Sequence, residues 1–413
     1  MVMTYLTRNI ESKINRLLTI FPVVMLIGSR QTGKTSLCQN IRPKWQYFDL
    51  ENSSDFDLIC EDFNFFFTEH PTHIIIDEAQ ESAELFRHLR GVIDANREQK
   101  GRFLLTGSSS PELLKNASDT LAGRIAIVEI GTLKMNEINQ QPLPHFYQIF
   151  ENDLTIDILT TLKTMSDPAD DPIQLFLKGG YPEPLFYEDN FAYQAWMENY
   201  FKSYVNQDIR RLFPRLDITR FRRFISTLSS LSGTIINKAQ LGRAINVSEV
   251  TIADYLDIAD NTFIWRIIRS YESNKSKAVV KMPKGLIRDS GLNHYLLGIE
   301  NREKLLRSPH VGHNFESFVI EEIIKGIQAT ELTHWDYHYF RTRNGAEIDL
   351  ILEGNFGLLP IEIKFGQNTS LRQLTSLTQF IERHDLPLGI VINNCVEIKM
   401  LSNNIIQIPV GFL

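Results

Sequence analysis

Over the first third of the chain, apolar, β-branched and aromatic residues gather in short runs at 23–28, 45–50, 73–77, 102–106 and 125–130. Each run has the length of a strand, and the stretches between them read as helices. That alternation predicts a three-layer α/β domain on a mainly parallel sheet, covering residues 1–140. From 142 to 215 the pattern is irregular and then helical, with aromatics crowded into 191–204 and breaks at Gly179, Gly180 and Pro182. This segment, 141–215, is expected to be a helical lid or connector.

Between 218 and 271 the order becomes helix, short helix, turn, helix, strand. Residues 239–245 form the short helix, Asn246 and Val247 the turn, and Ser248 caps a helix running to about residue 258. Leu241, Ala244, Ile245, Val247, Val250, Ile252 and Leu256 fall where they would pack a three-helix core, leaving Glu249, Thr251 and Asp254 outward. Strands at 263–271 and 278–282 would form a wing, completing a domain at 216–284. The remainder, 285–413, predicts a second α/β domain. It has helices around Asn293 and over 315–328, strands near 334–341, 346–353 and 358–364, a helix at 371–384, and strands at 388–392 and 404–408.

A chain of 413 residues exceeds one ordinary core, and 43% hydrophobic with 23% charged residues excludes a disordered composition. The longest apolar run, 18–27, is interrupted by Thr19 and Pro22 and is too short to span a bilayer. Residues 1–13 lack the apolar stretch of a signal peptide, so the expected location is the cytoplasm. Cys38, Cys60 and Cys395 have no CxxC spacing and are expected to be buried thiols. A net charge of −7 excludes a uniformly basic nucleic-acid binder. Yet residues 202–289 hold sixteen Lys and Arg against eight Asp and Glu, a +8 island in a chain otherwise near −15.

Chemistry enters at Gly28-Ser29-Arg30-Gln31-Thr32-Gly33-Lys34-Thr35, which fits GxxxxGK[ST] and follows a strand. Its glycines let the loop curl so that backbone N–H groups, through Ser36 at the helix start, face the phosphates of ATP. Lys34 reaches the β and γ phosphates and the Thr35 hydroxyl ligates Mg²⁺. The run Ile74-Ile75-Ile76 ends in Asp77 and Glu78, where Asp77 would hold Mg²⁺ through water and Glu78 would polarise the attacking water. Phe103-Leu104-Leu105 ends in Thr106; this residue or Ser108 would sense the γ-phosphate, or the segment is a plain loop.

The set GSRQTGKTSL, IIIDEAQ, LTGSSSPELLKNASDTLAGRI and GGYPEP resembles the prokaryotic AAA-type ATPases that carry a C-terminal domain of unknown function, the DUF4143 group. The resemblance implies an AAA-like core in which Arg124 is a phosphate-sensing or finger arginine, within one subunit or across a homo-oligomer; a surface ion pair is the alternative. It also implies a winged helix in the middle, in keeping with the pattern at 216–284. The outward face of the second helix there is acidic, which argues against direct base readout. Arg210, Arg211, Arg215, Arg220, Arg222 and Arg223 before it, and Arg266, Arg269, Lys275, Lys277, Lys281 and Lys284 after it, suit phosphate contacts that position without specifying, or else form a solvated or interdomain face.

Near the far end, Asp349 sits within the alternating run 346–351, and thirteen residues on the next strand reads Glu362-Ile363-Lys364. Two carboxylates and an ammonium on one side of a hairpin can hold a divalent metal and stabilise developing charge. This resembles the PD-(D/E)xK nuclease fold, which implies Asp349 and Glu362 as metal ligands, Lys364 as the charge-stabilising group and Glu316 as an outer carboxylate. The first motif reads E-I-D rather than beginning with Pro-Asp. A domain that binds without cutting, with Glu362 and Lys364 as a structural ion pair, fits the same residues.

The sequence thus predicts an ATPase that uses Mg²⁺ and couples hydrolysis to DNA. The competing expectation is a nucleotide-dependent switch acting on a protein partner, with a silent C-terminal domain.

Overall fold

The computed structural model describes residues 5–108, 117–163, 168–272, 282–342 and 344–413. They form two compact units: unit 1 is 1–132 with 261–263, and unit 2 is 133–260 with 264–413.

Unit 1 is built on five parallel strands: β1 (Val23–Gly28), β2 (Gln46–Asp49), β3 (Ile74–Asp77), β4 (Phe103–Ser108) and β5 (Ile125–Glu129), in the order β2-β3-β4-β1-β5. All six residues of β1 and all four of β3 are buried, as expected of parallel strands covered on both faces. Pairing Gly28 with Ser108, and Asp49 with Asp77, brings the carboxyl ends of the strands to one edge. In open α/β sheets this is the edge where ligands bind. Gly28 is required there: a Cβ would stand 2.2 Å from the carbonyl oxygen of Ile130, just past β5.

Unit 2 contains a nine-stranded sheet. Its strands are β6 (Thr234–Ile235), β7 (Trp265–Ser270), β8 (Lys284–Ile287), β9 (Trp335–Arg341), β10 (Glu347–Gly354), β11 (Gly357–Lys364), β12 (Gly389–Asn393), β13 (Lys399–Met400) and β14 (Ile405–Pro409). The order is β13-β14-β12-β11-β10-β9-β7-β8-β6. Strand β7 is the join, antiparallel to β8 and parallel to β9. Apart from 261–263, the segments expected as connector, wing-bearing domain and last domain therefore lie in unit 2, and one sheet runs through the last two. The almost fully buried helix Val311–Ala329 supplies Phe315, Ile320 and Ile324 to the main core.

Some expectations need correction here. The domain boundary expected between residues 284 and 285 falls inside β8, which pairs with β7 over four residues within the one sheet. The expected strand 278–282 lies outside the described residues except for Met282, which is not in a strand. In the helix Glu249–Asn261, Ile252, Tyr255, Leu256 and Ala259 face inward, so the 3.6-residue period turns Val250 outward, 71% exposed. Ala244 is also exposed. Of the cysteines, only Cys38 is buried.

Candidate functional site

The loop after β1 closes on itself. Lys34 is buried, and its Nζ donates to the carbonyl oxygens of Gly28, at 3.1 Å, and Ser29, at 2.9 Å. Burial lowers its pKa, opposed by Glu78 and Asp77. Gly33 takes φ 86°, a left-handed conformation that favours glycine, and hands the chain to the helix Lys34–Ile41. Gln31 is also left-handed, Thr32 bonds back to the Ser29 carbonyl, and Arg30 pairs with Glu51 at 2.6 Å. Ser36 is exposed one turn into the helix.

Asp77, buried at the end of β3, is the centre of the arrangement. Its Oδ2 accepts from the Thr35 hydroxyl at 2.6 Å and from the Tyr47 hydroxyl at 2.8 Å, while Oδ1 bonds with Thr106. The backbone N–H of Glu78 donates to Asp77 at 3.1 Å and to the Thr106 hydroxyl at 3.3 Å. Glu78 itself has φ 52°, a costly conformation for a side-chain-bearing residue and one that clusters at functional sites. Gln80 donates to its carboxylate at 2.5 Å. The structure thus brings Lys34, Thr35, Asp77, Glu78 and Thr106 together.

Tyr47, Gln80 and Arg8 escaped the sequence reading. Arg8 donates to the carbonyl oxygens of Thr32, at 2.9 Å, and Gly131, at 2.8 Å, tying the loop to the chain after β5. Only Gln80 carried a signal, its place directly after the acid pair.

Arg124 is not brought to this edge. Its carbonyl accepts from the N–H of Val23, at the start of β1, so it lies a strand length away, roughly 17 Å at 3.3 Å per residue. Its guanidinium forms a bidentate pair with Asp94 at 2.7 and 2.9 Å. Within one subunit this geometry is that of the surface ion pair given as the alternative.

In unit 2, Asp349 on β10 and Glu362 and Lys364 on β11 do meet. Lys364 stands 2.5 Å from Glu362 and 3.8 Å from Asp349, whose Oδ2 also accepts from the N–H of Ile363 at 2.8 Å. Burial and the neighbouring Asp349 push Glu362 up to about 8. Burial, again with Asp349, also raises Glu316. The sequence puts Lys284 among basic residues suited either to phosphate contacts or to a solvated or interdomain face. Instead it is buried on β8, and its ammonium pairs with Glu316, with Glu347 at 3.3 Å and with Asp349 at 3.8 Å. Burial lowers Lys284, but Glu316, Asp349 and Glu347 outweigh it and hold the ammonium protonated well above its ordinary range. Among the described residues, no group of three or more His, Cys, Asp or Glu is arranged to hold a metal ion.

Arg266 likewise leaves the basic surface: it is buried against Glu321 and its guanidinium donates to the Tyr337 hydroxyl at 3.1 Å. Arg210, Arg211, Arg215, Arg220, Arg222, Arg223 and Arg269 are exposed, whereas Lys275, Lys277 and Lys281 lie outside the described residues. Among the described residues, no helix is long and apolar enough to cross a membrane.

A phosphate-type loop after the first strand, and an acid pair closing a strand two places along the same parallel sheet, define unit 1 as a P-loop nucleotide-binding core. Residues 21–139 match the family model described as an AAA domain, 311–413 match DUF4143, a domain of unknown function, and 169–303 match another, DUF8612. The uncharacterized proteins Mb2031c of Mycobacterium bovis and Rv2008c of Mycobacterium tuberculosis are each 31% identical over 349 residues, covering 84% of this chain and 71% of theirs. The chain belongs to their family, prokaryotic AAA-type ATPases that join an AAA domain to DUF4143. Similar solved structures include the Walker-type ATPase PABY2304 of Pyrococcus abyssi, at 14% identity over 70% of this chain and 94% of that one, with a TM-score of 0.40. Another is the RuvB Holliday junction branch migration motor of Thermotoga maritima, at 16% over 66% and 94%, with a TM-score of 0.27.

Proposed function

We propose that the chain binds ATP with Mg²⁺ at the loop 28–36, hydrolyses it, and uses the nucleotide cycle to control a hold on DNA. The observation that carries this reading is the meeting of Lys34, Thr35, Asp77 and Glu78 at the carboxyl edge of one parallel sheet. The residues fit the cation: a hydroxyl and a carboxylate 2.6 Å apart, beside a buried ammonium, are hard oxygen donors. Thr35 directly, and Asp77 through water, would hold Mg²⁺, which neutralises charge on the phosphates when bound. Gly28, Ser29, Arg30, Gln31, Thr32, Gly33 and Ser36 present the loop backbone to the phosphates. Lys34 exchanges its two carbonyl partners for β and γ oxygens. Glu78 takes the proton of the attacking water, and Thr106 steadies Asp77 and the Glu78 backbone.

Lys34→Ala should reduce ATP turnover by about 100-fold or more, and Glu78→Gln should keep nucleotide binding while losing hydrolysis. Unchanged turnover in Lys34→Ala would remove the assignment.

For DNA, the helices Ile218–Leu231, Lys238–Ile245 and Glu249–Asn261 with β6, β7 and β8 would act as a winged helix, and the exposed arginines at 210–223 would meet phosphates. Each arginine contact contributes about one to the slope of log affinity against log salt, so Arg222→Ala with Arg223→Ala should flatten it by about two. The second reading is a nucleotide switch on a protein partner with a silent C-terminal domain. The acidic face of Glu249, Asp254 and Asp257 and the lack of a metal-holding group among the described residues favour it. Affinity for DNA that is absent or indifferent to salt would select it.

A further inference from the structure

The residues that the nuclease-like pattern assigns to a divalent metal do not fit one, and the reason is a side chain from outside that pattern. Lys284 is carried on β8, where it pairs with Ile235 of β6 on one side and Ile268 of β7 on the other. Next to it, Gly285 lies under the Trp265 ring so closely that a Cβ would stand 2.1 Å from it. The backbone is therefore clamped on three sides, and the ammonium, with its side chain 1% exposed, is delivered into the carboxylates Glu316, Glu347 and Asp349.

Those three acids come from a helix and one edge of β10, and what they converge on is nitrogen. Asp349 is used on both oxygens: Oδ1 faces Lys284, and Oδ2 accepts from the Ile363 N–H and faces Lys364. Glu362 gives Oε1 to Lys364; its buried Oε2, and Glu316 Oε1 apart from its ion pair with Lys284, have no hydrogen-bond partner among the described residues. Mg²⁺ demands near-octahedral geometry with several waters kept beside one or two carboxylates, and here the oxygens of Glu316, Glu347 and Asp349 that would face such an ion already face the Lys284 ammonium. A dication placed among the other oxygens would also stand within a few ångströms of a fixed ammonium, where like charges repel strongly.

We infer that Lys284 is the resident cation of this cluster: its ammonium occupies the position a divalent metal would need, and it keeps the C-terminal domain metal-free and without metal-dependent nuclease chemistry. Lys284 holds the helix Val311–Ala329 to β10 by charge, the work a structural metal does elsewhere. The inference stands apart from the ATPase reading, since no residue of unit 1 enters it.

The test is Mn²⁺ binding to the nucleotide-free full chain, followed by electron paramagnetic resonance. Wild type should show no Mn²⁺ site that Asp349→Asn removes. Lys284→Ala should gain one site per chain, at least tenfold tighter than any in wild type and abolished by adding Asp349→Asn, whereas Lys284→Arg should gain none. Because Lys284→Ala leaves carboxylates uncompensated, its melting temperature should fall and recover with Mn²⁺, a recovery wild type does not show. If Lys284→Ala is unfolded even with Mn²⁺, Lys284→Gln takes its place with the same expected gain. An Asp349-dependent Mn²⁺ site in wild type, or a folded Lys284→Ala or Lys284→Gln with no gained site, overturns the inference.

Discussion

Asp77 shows how much of the nucleotide site hangs on one carboxylate, because three hydroxyls, from Thr35, Tyr47 and Thr106, converge on it. Tyr47 is the informative member. Burial and the bond to Asp77 hold its phenol well above the ordinary range, so it stays protonated and donates. Tyr47→Phe keeps the ring and removes one donor from a charged acceptor, a loss of about 1.5 to 3 kcal/mol for such a bond. ATP turnover should fall about tenfold with nucleotide affinity little changed, as steady-state kinetics beside equilibrium nucleotide titration would show. An equal fall in Lys34-dependent binding would make Tyr47 a structural residue only. Thr35, Asp77 and Thr106 were legible because a loop motif and strand ends announce them. Tyr47 was not, since its strand reads like any other and its partner lies 30 positions away.

Glycines 179 and 180 show the same division one level up, in the turn that follows the helix Pro172–Lys178. Both were legible as a break, but the reason for two consecutive glycines lies in distant backbone. A Cβ on Gly180 would stand 2.2 Å from the carbonyl oxygen of Leu133, and Gly179, at φ 70°, would meet Asp289 at 2.4 Å. Asp289 in turn accepts from the Gly180 N–H at 2.9 Å and caps the helix Ser290–Leu296 through Leu292 at 2.8 Å. Gly180→Ala should therefore destabilise the protein by about 2 to 4 kcal/mol in urea unfolding. Gly312→Ala is the control: nothing lies within 4 Å of its Cβ position and its φ is ordinary, so stability should change by less than about 0.5 kcal/mol. Similar losses in both would show that crowding is not the cause. Strand β8 was missed for a related reason, since four residues after a proline carry too little pattern to signal a strand that is paired on both sides.

Stability of the whole chain against acid should report on His294, which is buried in unit 2 beside Phe176 and donates from Nδ1 to the Leu177 carbonyl at 3.1 Å. Burial lowers its pKa from 6.5 to about 4. The unfolded chain takes up a proton near 6.5 while the folded chain resists until about 4, so stability is full above 6.5 and declines as pH falls through that window. Between pH 7.5 and 5 the loss should be about 2 kcal/mol, and His294→Gln should lack that part of it in urea unfolding at the two pH values. An unchanged pH dependence in the variant would mean other groups dominate. The sequence by itself determined what depends on neighbours along the chain: the alternating strands and helices of unit 1, the curled loop ending in Lys34 and Thr35, the acids closing β3, and most strands of unit 2. Only the tertiary structure decided which charges are surface and which are internal. Arg124, Arg266 and Lys284 look alike in a row of residues, yet one is locked to Asp94, one is buried on Glu321, and one fills a carboxylate cluster whose member Glu347 is 63 positions away. The physical reason is that a charge takes its meaning from the dielectric and the partners around it, and these are set by strand pairing across the chain rather than by spacing within it.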